Sequence, residues 1–260
     1  MVLWKRDGTV IRKLPTSSII HSVHFSPDGR LIAAAGAKGM IYLWRSDGTP
    51  LTQVQTDSPR LTNLTFSPDS QFLAYGSDRG RIQLWKLSDL IEGNAKPSQT
   101  ITAHDQAIED VVFSPDGQTI ASASDDHTVK LWQRDGRLIQ TLQGHLDAVL
   151  AVRFSPDGQT IASASDDHTV KLWRRDGTLI ATLTGHTDSI YGLSFSPDGQ
   201  QLATASDDRR ILVWNLNHLG FDQLLDRSCQ WLQDYLTTNP TAIADPESLA
   251  DRRFCQDRHP

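Results

Sequence analysis

The sequence predicts an all-β fold of about five four-stranded antiparallel sheets, followed by a short α-helical C-terminal extension. Three observations carry this. The segment FSPDGQTIASASDDHTVKLW occupies residues 113–132 and recurs unchanged at 154–173. Looser copies begin at Phe25, Phe66 and Phe195 and end at Trp44, Trp85 and Trp214. Self-similarity at such a spacing marks a repeat architecture, in which each unit covers its neighbour's apolar face. Within a copy the side chains alternate with a period of two, the spacing of a strand, and after Trp214 the spacing becomes helical.

One unit explains the others. Residues 107–113 (AIEDVVF) read as a short strand. Ser114-Pro115-Asp116-Gly117 turns the chain, Pro115 presetting φ at the second turn position and Gly117 suiting the fourth. In 119–124 (TIASAS), Ile120, Ser122 and Ser124 share one side. Ala121 and Ala123 share the other and are small enough for a neighbouring sheet to approach closely. Asp125-Asp126-His127 is a second tight turn, and 128–132 (TVKLW) is a β-branched and aromatic strand. The RDG at 134–136 turns again into a fourth strand at 138–142. Four short antiparallel strands per unit are the pattern of a propeller blade.

In chain order, Val2-Leu3-Trp4 reads as the end of a third strand whose first two are missing, and 9–14 as a fourth, outer strand. That outer strand could complete the blade ending at Trp214 and close a five-blade ring. An open arc, or one completed by another chain, is the alternative. Residues 20–44 make the first full unit, with an outer strand near 50–55, and 61–85 make the second. There KLSDLIEGNAKPS (86–98) delays the outer strand, either as a tolerated surface insertion or as a partner-contacting loop. Units three to five are regular. Phe221, Leu225, Leu232 and Leu236 then lie at helical spacing within 221–236. Asn239-Pro240 ends that run, and Asp245-Pro246-Glu247 starts a second short helix through about Arg253. The expected domains are a propeller over 1–215 and a helical extension over 216–260.

These units resemble WD40 repeats, the β-propeller family whose pattern is Gly-His, a strand, Ser-Pro-Asp-Gly, a strand with Ser, a turn Asp and a closing Trp. His104, Ser122, Asp126 and Trp132 fit it, as do Gly144-His145, Ser163, Asp167 and Trp173. So do Gly185-His186, Thr204, Asp208 and Trp214. The resemblance implies a buried hydrogen-bonded chain of four side chains in each of these units. Two departures stand out. No Trp is followed by Asp, and Lys38 and Arg79 replace the turn Asp in the first two units, which also lack the Gly-His. Those two blades are expected to lack the network and to be less rigid. The tail, with CQWLQDYL at 229–236 and DRRFC at 251–255, resembles the C-terminal extension of many bacterial WD40 proteins.

Lys and Arg total 25 against 31 Asp and Glu, a net charge of −6 over 260 residues, which argues against a general nucleic-acid or acidic-membrane binder. Two cysteines, Cys229 and Cys255, are too few for a disulfide framework. No apolar run is long enough to span a membrane, and the residues after Met1 match no signal or transit peptide. A cytoplasmic setting is expected.

Asp125-Asp126-His127 and Asp166-Asp167-His168 mix carboxylate with imidazole, as metal and acid–base sites do, but turn chemistry and the repeat pattern account for them. His104, His145 and His186 occupy one repeat position, and a catalytic group has no reason to recur. No Gly-rich phosphate loop or Gly-x-Ser-x-Gly elbow is present, and the pairs Arg174-Arg175, Arg209-Arg210 and Arg252-Arg253 are isolated. The expected function is a non-catalytic protein-interaction scaffold, the WD40 module of a bacterial signalling or assembly protein, with no catalytic residue, metal or cofactor. A propeller enzyme and a nucleic-acid-binding protein are the alternatives. The resemblance further implies partner contacts at the residue before the turn Asp, which gives Asp78, Asp125, Asp166 and Asp207, with Ala37 in the first unit. It also implies contacts at the start of each first strand, at His21, Thr62, Glu109, Leu150 and Tyr191. A mouth ringed by these carboxylates would take a Lys- or Arg-bearing segment of another protein. An incomplete ring would allow self-association.

Overall fold

The computed structural model describes residues 1–94 and 96–218. The chain opens with a hairpin of β1 (Val2–Trp4) and β2 (Val10–Lys13). Blade 1 follows, with β3 (Ile20–Phe25), β4 (Leu31–Gly36), β5 (Met40–Arg45) and β6 (Pro50–Gln55). Blade 2 holds β7 (Leu61–Phe66), β8 (Phe72–Ser77) and β9 (Arg81–Lys86), then a short helix α1 (Leu87–Ile91) and β10 (Gln99–Thr102). Blade 3 is β11 (Ile108–Phe113), β12 (Thr119–Ser124), β13 (Thr128–Gln133) and β14 (Leu138–Gln143). Blade 4 is β15 (Val149–Phe154), β16 (Thr160–Ser165), β17 (Thr169–Arg174) and β18 (Leu179–Thr184). Blade 5 has three strands, β19 (Ile190–Phe195), β20 (Gln201–Ser206) and β21 (Ile211–Asn215).

Each sheet is an antiparallel meander whose strands pair in chain order. The first strands line up side by side, β3 next to β7, β7 next to β11, β11 next to β15 and β15 next to β19. This is an all-β propeller of about five blades. The Ser-Pro-Asp-Gly turns are locked locally. In blade 3, Ser114 Oγ donates to Asp116 Oδ1 at 2.5 Å, the Gln118 N–H donates to the same oxygen at 2.9 Å, and Gly117 takes φ +68°. Only glycine enters that left-handed region without a Cβ penalty.

The core lies between blades. Ala33, Ala35, Ile41 and Leu43 of blade 1 pack on Leu61, Leu64 and Phe66 of blade 2. Ala121, Ala123, Val129 and Leu131 of blade 3 pack on Val149 and Val152 of blade 4. The period-two alternation sends alternate side chains to opposite neighbours, so Ile120 joins the blade 2 side while Ala121 faces blade 4.

Two expectations need correction. Residues 9–14 do not close a ring onto the blade ending at Trp214. β2 pairs with β1, with Val2 opposite Lys13 and Leu3 opposite Arg12, and this hairpin packs on blade 1 through Leu14 and Leu3. Among the described residues β21 pairs only with β20, so the array is open. A hairpin closed by a short turn, in which the Lys5 N–H donates to Thr9 O at 2.8 Å, carries far less loop entropy than a pairing across the whole chain. The insertion at 86–98 is not a plain surface loop either. Its first turn is α1, and Leu87 and Leu90 are 4 % and 1 % exposed in the core between blades 1 and 2. The helices expected at 221–236 and 245–253 lie outside the described residues. Among the described residues no helix is long and apolar enough to cross a membrane.

Candidate functional site

Blades 3, 4 and 5 carry the same four-residue arrangement. In blade 4, His145 Nδ1 lies 2.8 Å from Asp167 Oδ2, His145 Nε2 lies 2.8 Å from Ser163 Oγ, and Trp173 Nε1 donates to Ser163 Oγ at 2.8 Å. In blade 3 the distances from His104 to Asp126 and to Ser122 are both 2.7 Å, and Trp132 Nε1 reaches Ser122 at 3.0 Å. In blade 5 His186 is 2.7 Å from both Asp208 and Thr204, with Trp214 Nε1 at 3.0 Å from Thr204. An ionised carboxylate only accepts, so it fixes the proton on Nδ1. Nε2 then accepts from the hydroxyl, whose oxygen accepts from the indole N–H. Every donor in this four-residue network has an acceptor.

The carboxylates are further held by the backbone. Asp167 accepts from the Leu146 N–H at 2.9 Å, the Thr169 N–H at 2.9 Å and Thr169 Oγ1 at 2.6 Å. Burial pushes its carboxyl up, but these bonds and His145 outweigh that and draw it down to about 2. Asp126 is lowered by the same balance, burial opposed by Thr128 and His104. The imidazoles of His104 and His145 are lowered, chiefly by burial, although their Asp partners pull the other way. These histidines are neutral structural links rather than exposed acid–base groups.

Blades 1 and 2 are built differently. Tyr42 stands in for the network in blade 1, where its hydroxyl is 2.8 Å from Ser17 Oγ and 3.1 Å from Ser18 Oγ and its ring stacks on Trp44. In blade 2 Tyr75 donates to Gln83, whose amide donates to Asp57 at 2.9 Å. Trp85 is 2 % exposed and its Nε1 has no partner. Lys38 and Arg79 sit at the turn positions where the later blades have Asp.

The sequence-derived contact residues gather at the end of the blades where first strands begin and second strands end, as the pairing of Ile108 with Ser124 requires. Glu109 is half-buried and meets Arg60 Nη2 of blade 2 at 3.2 Å. Its carboxyl is raised by burial first, with Asp125, Asp166 and Asp110 adding and Arg60 opposing. Asp125 is raised too, by burial and then by Asp166 and Asp126, again against Arg60. The Tyr191 phenol is raised by burial, then by Asp207 and Asp166, and the residue is 55 % exposed. Glu109, Asp125, Asp166, Asp207 and Tyr191 therefore form one electrostatic group drawn from three blades. Leu150 is half-buried beside them. Asp78 accepts from Ser58 Oγ at 2.9 Å. Thr62 spends its hydroxyl on Ile108 O at 2.7 Å, and His21 is exposed on blade 1.

Sequence reasoning missed two features. Arg60 brings a cation into the acidic group, and its only sequence signal is its place directly before a first strand. The second is a belt across the first strands. Ser22 Oγ donates to Asn63 Oδ1 at 2.7 Å, Asn63 Nδ2 donates to Asp110 Oδ1, and Asp110 Oδ2 accepts from the Val152 N–H at 3.0 Å and from Arg153. Asp110 is 3 % exposed. The signal was a repeat position reading Ser22, Asn63, Asp110, Ala151 and Gly192, polar where the later copies are small. Among the described residues no cluster of His, Cys, Asp and Glu has the arrangement to hold a metal ion.

No curated protein matches the chain. The WD40 family profile, WD domain, G-beta repeat, matches five times, at residues 8–45, 48–86, 95–133, 136–174 and 177–215. Four of the matches begin at the glycine of an Asp-Gly turn, and the third begins at residue 95, within the insertion of the second blade. Each ends one residue past a closing Trp, so each runs from one blade's outer strand into the next blade. With most of its length in these five matches and its sheets in the corresponding order, the chain belongs to the WD40 repeat family.

Proposed function

We propose that the protein is a non-catalytic scaffold that binds a Lys- or Arg-bearing segment of another protein at the mouth formed by Glu109, Asp125, Asp166, Asp207 and Tyr191. WD40 domains generally mediate protein–protein interaction, and this reading names the surface. The observation that carries it is the grouping of like charges. Glu109 and Asp125 are held above the ordinary carboxylate range by burial and by acids on neighbouring blades, with Arg60 as partial compensation. Charge of one sign gathered on a partly desolvated surface steers a cationic partner and strengthens its contacts. Tyr191 and Leu150 supply an aromatic and an aliphatic anchor, the residue types that carry interface energy. We place the module in a cytoplasmic bacterial signalling or assembly protein. The nucleic-acid reading is weakened because Arg134, Arg153, Arg175 and Arg210 are engaged with carboxylates of the fold. The enzyme reading is weakened because the unrepeated polar belt at Asn63 and Asp110 is internally satisfied.

The test is a triple variant, Asp125→Ser, Asp166→Ser and Asp207→Ser, compared with the wild type against a partner captured by affinity pull-down. All three side chains lie outside the four-residue networks, so the fold is expected to survive. Binding should fall by about tenfold or more, and the salt dependence should flatten. Equal affinity and an equal salt slope would remove the acidic mouth from the binding site.

A further inference from the structure

The two ends of the blade array expose complementary surfaces. Inside the chain, each blade lays the apolar side chains of its first strand on the second and third strands of the blade before it. At the far end of blade 5 no other described residue covers the receiving set. Ile211 and Val213 are 73 % and 62 % exposed, whereas Val129 and Leu131, at the same repeat positions, are each 1 % exposed. At the near end of blade 1 the inserting set is bare. Val23 and Phe25 are 49 % and 55 % exposed, against 0 % and 6 % for Leu64 and Phe66. The turns follow suit. Gly117 faces Pro68, Gly158 faces Pro115 and Gly199 faces Pro156, while Gly29 of blade 1 faces nothing.

The hairpin at the start of the chain fits the same pattern. β2 keeps on β1 the register that β14 keeps on β13, with a bulge at the Trp in each pair. The pair therefore has the register of the outer half of a blade. β1 reads Val2-Leu3-Trp4, and β21 contains Leu212-Val213-Trp214. β1 thus holds the place of a strand like β21, and β2 is the kind of fourth strand that β21 lacks. After Trp44, Trp132 and Trp173 an Asp-Gly turn leads into the fourth strand, whereas Trp214 is followed by Asn-Leu-Asn-His.

We propose that blade 5 of one copy docks on blade 1 of a second copy, displaces β1 there, and takes that copy's β2 as its fourth strand. The resulting composite blade buries Ile211 and Val213 of one copy with Val23 and Phe25 of the other, brings Pro197 to Gly29, and pairs the open edge of β21. An unpaired strand edge is a template for another chain, and here the strand that fits it belongs to the same sequence. The two surfaces differ, so association is head-to-tail and can continue from copy to copy. The register follows from blade 4, where Trp173 faces Leu179 and Lys171 faces Thr182. By that register Trp214 faces Val10, and Leu212 faces Lys13. The proposal is independent of what the acidic mouth binds.

The experiment uses the full chain with Cys229→Ser and Cys255→Ser as background. One preparation carries Lys13→Cys and another Leu212→Cys. After mixing and mild oxidation, a disulfide joining positions 13 and 212 of two different chains is expected, and mass spectrometry reads it. Sedimentation of the unmodified chain should show mass rising with concentration. Val213→Glu, at a position exposed in the single chain, should weaken association by about a hundredfold, because an unpaired charge enters the contact. Leu3→Ser loosens β1 from blade 1 and should strengthen association. A chain that stays monomeric at every concentration overturns the proposal. So does a 13–212 disulfide that forms only within a doubly substituted single chain, since that chain closes on itself. Weaker association of Leu3→Ser would show that β1 supports the contact rather than yielding to it, and would overturn the exchange.

Discussion

Replacing Asp167 by Ala tests the four-residue network at its most connected atom pair. The carboxylate accepts four bonds, from His145 Nδ1, the Leu146 N–H, the Thr169 N–H and Thr169 Oγ1. Their fates on truncation differ. The His145 side chain is 2 % exposed, so its Nδ1–H is orphaned, at a cost of about 1–3 kcal/mol. Leu146 is 85 % exposed, so water takes over its N–H at little cost. The Thr169 N–H is part-buried and adds a fraction of a bond. The sum is about 2–3 kcal/mol, or about 4–12 °C in melting temperature for a domain of this size. Arg79→Ala is the control at the equivalent turn position of blade 2. Arg79 is exposed, so the change should stay within about 0.5 kcal/mol. Urea titration and thermal melting of both variants, followed by circular dichroism and Trp fluorescence, decide the matter. Similar shifts for Asp167→Ala and Arg79→Ala would refute the view that the later blades depend on the network and the early ones do not.

Two further outcomes follow from the same geometry. Trp85→Phe removes a buried N–H that has no partner, whereas Trp173→Phe removes one that is bonded and leaves Ser163 short of a donor; Trp173→Phe should therefore cost about 1 kcal/mol more in chemical denaturation, and equal costs would deny the difference between blades. Stability should be flat from pH 8 to about 7 and then fall in two stages. His104 and His145 have folded values below their ordinary 6.5, so the unfolded chain takes up protons first and stability declines below about pH 6.5. Asp126 and Asp167 have folded values below 3.8, so the stability they contribute is present above that value and lost as pH falls toward 2. Melting temperature measured at unit pH steps reads both stages, and a curve flat down to pH 4 would contradict the first.

The repeated blades were legible because the signal was redundant. Two verbatim segments and three looser ones each state strand, turn and closing Trp, so the sheets and their boundaries could be read from residues alone. The misreadings fall where redundancy stops. Residues 9–14 carry the pattern of a fourth strand, but nothing in a strand's own sequence says which third strand it joins. A short turn after Trp4 decided that in favour of β1. The insertion at 86–98 has no counterpart in other copies, so the burial of Leu87 and Leu90 could be inferred only from the surface that they cover. The belt from Ser22 to Arg153 was missed because its residues differ from blade to blade and show as a pattern only when the copies are aligned. Its bonds link positions far apart in sequence, and each copy read alone shows a single small or polar side chain.

The verbatim twin segments in blades 3 and 4 pose a question of fidelity during synthesis. Strand β12 meets the sequence Thr-Val-Lys-Leu-Trp twice, as β13 and again as β17, and the side chains offer no means of telling them apart. The loops do. The native partner follows across residues 125–127, and the wrong one only after residues 125–168. Closing the longer loop costs about 2.4 kcal/mol more by the logarithmic rule, a preference of about fiftyfold for the correct neighbour. Emergence from the ribosome adds to it, because β13 is available before β17 has been made. Two identical sentences can thus stand side by side in one chain, and reading order keeps them from being spliced together.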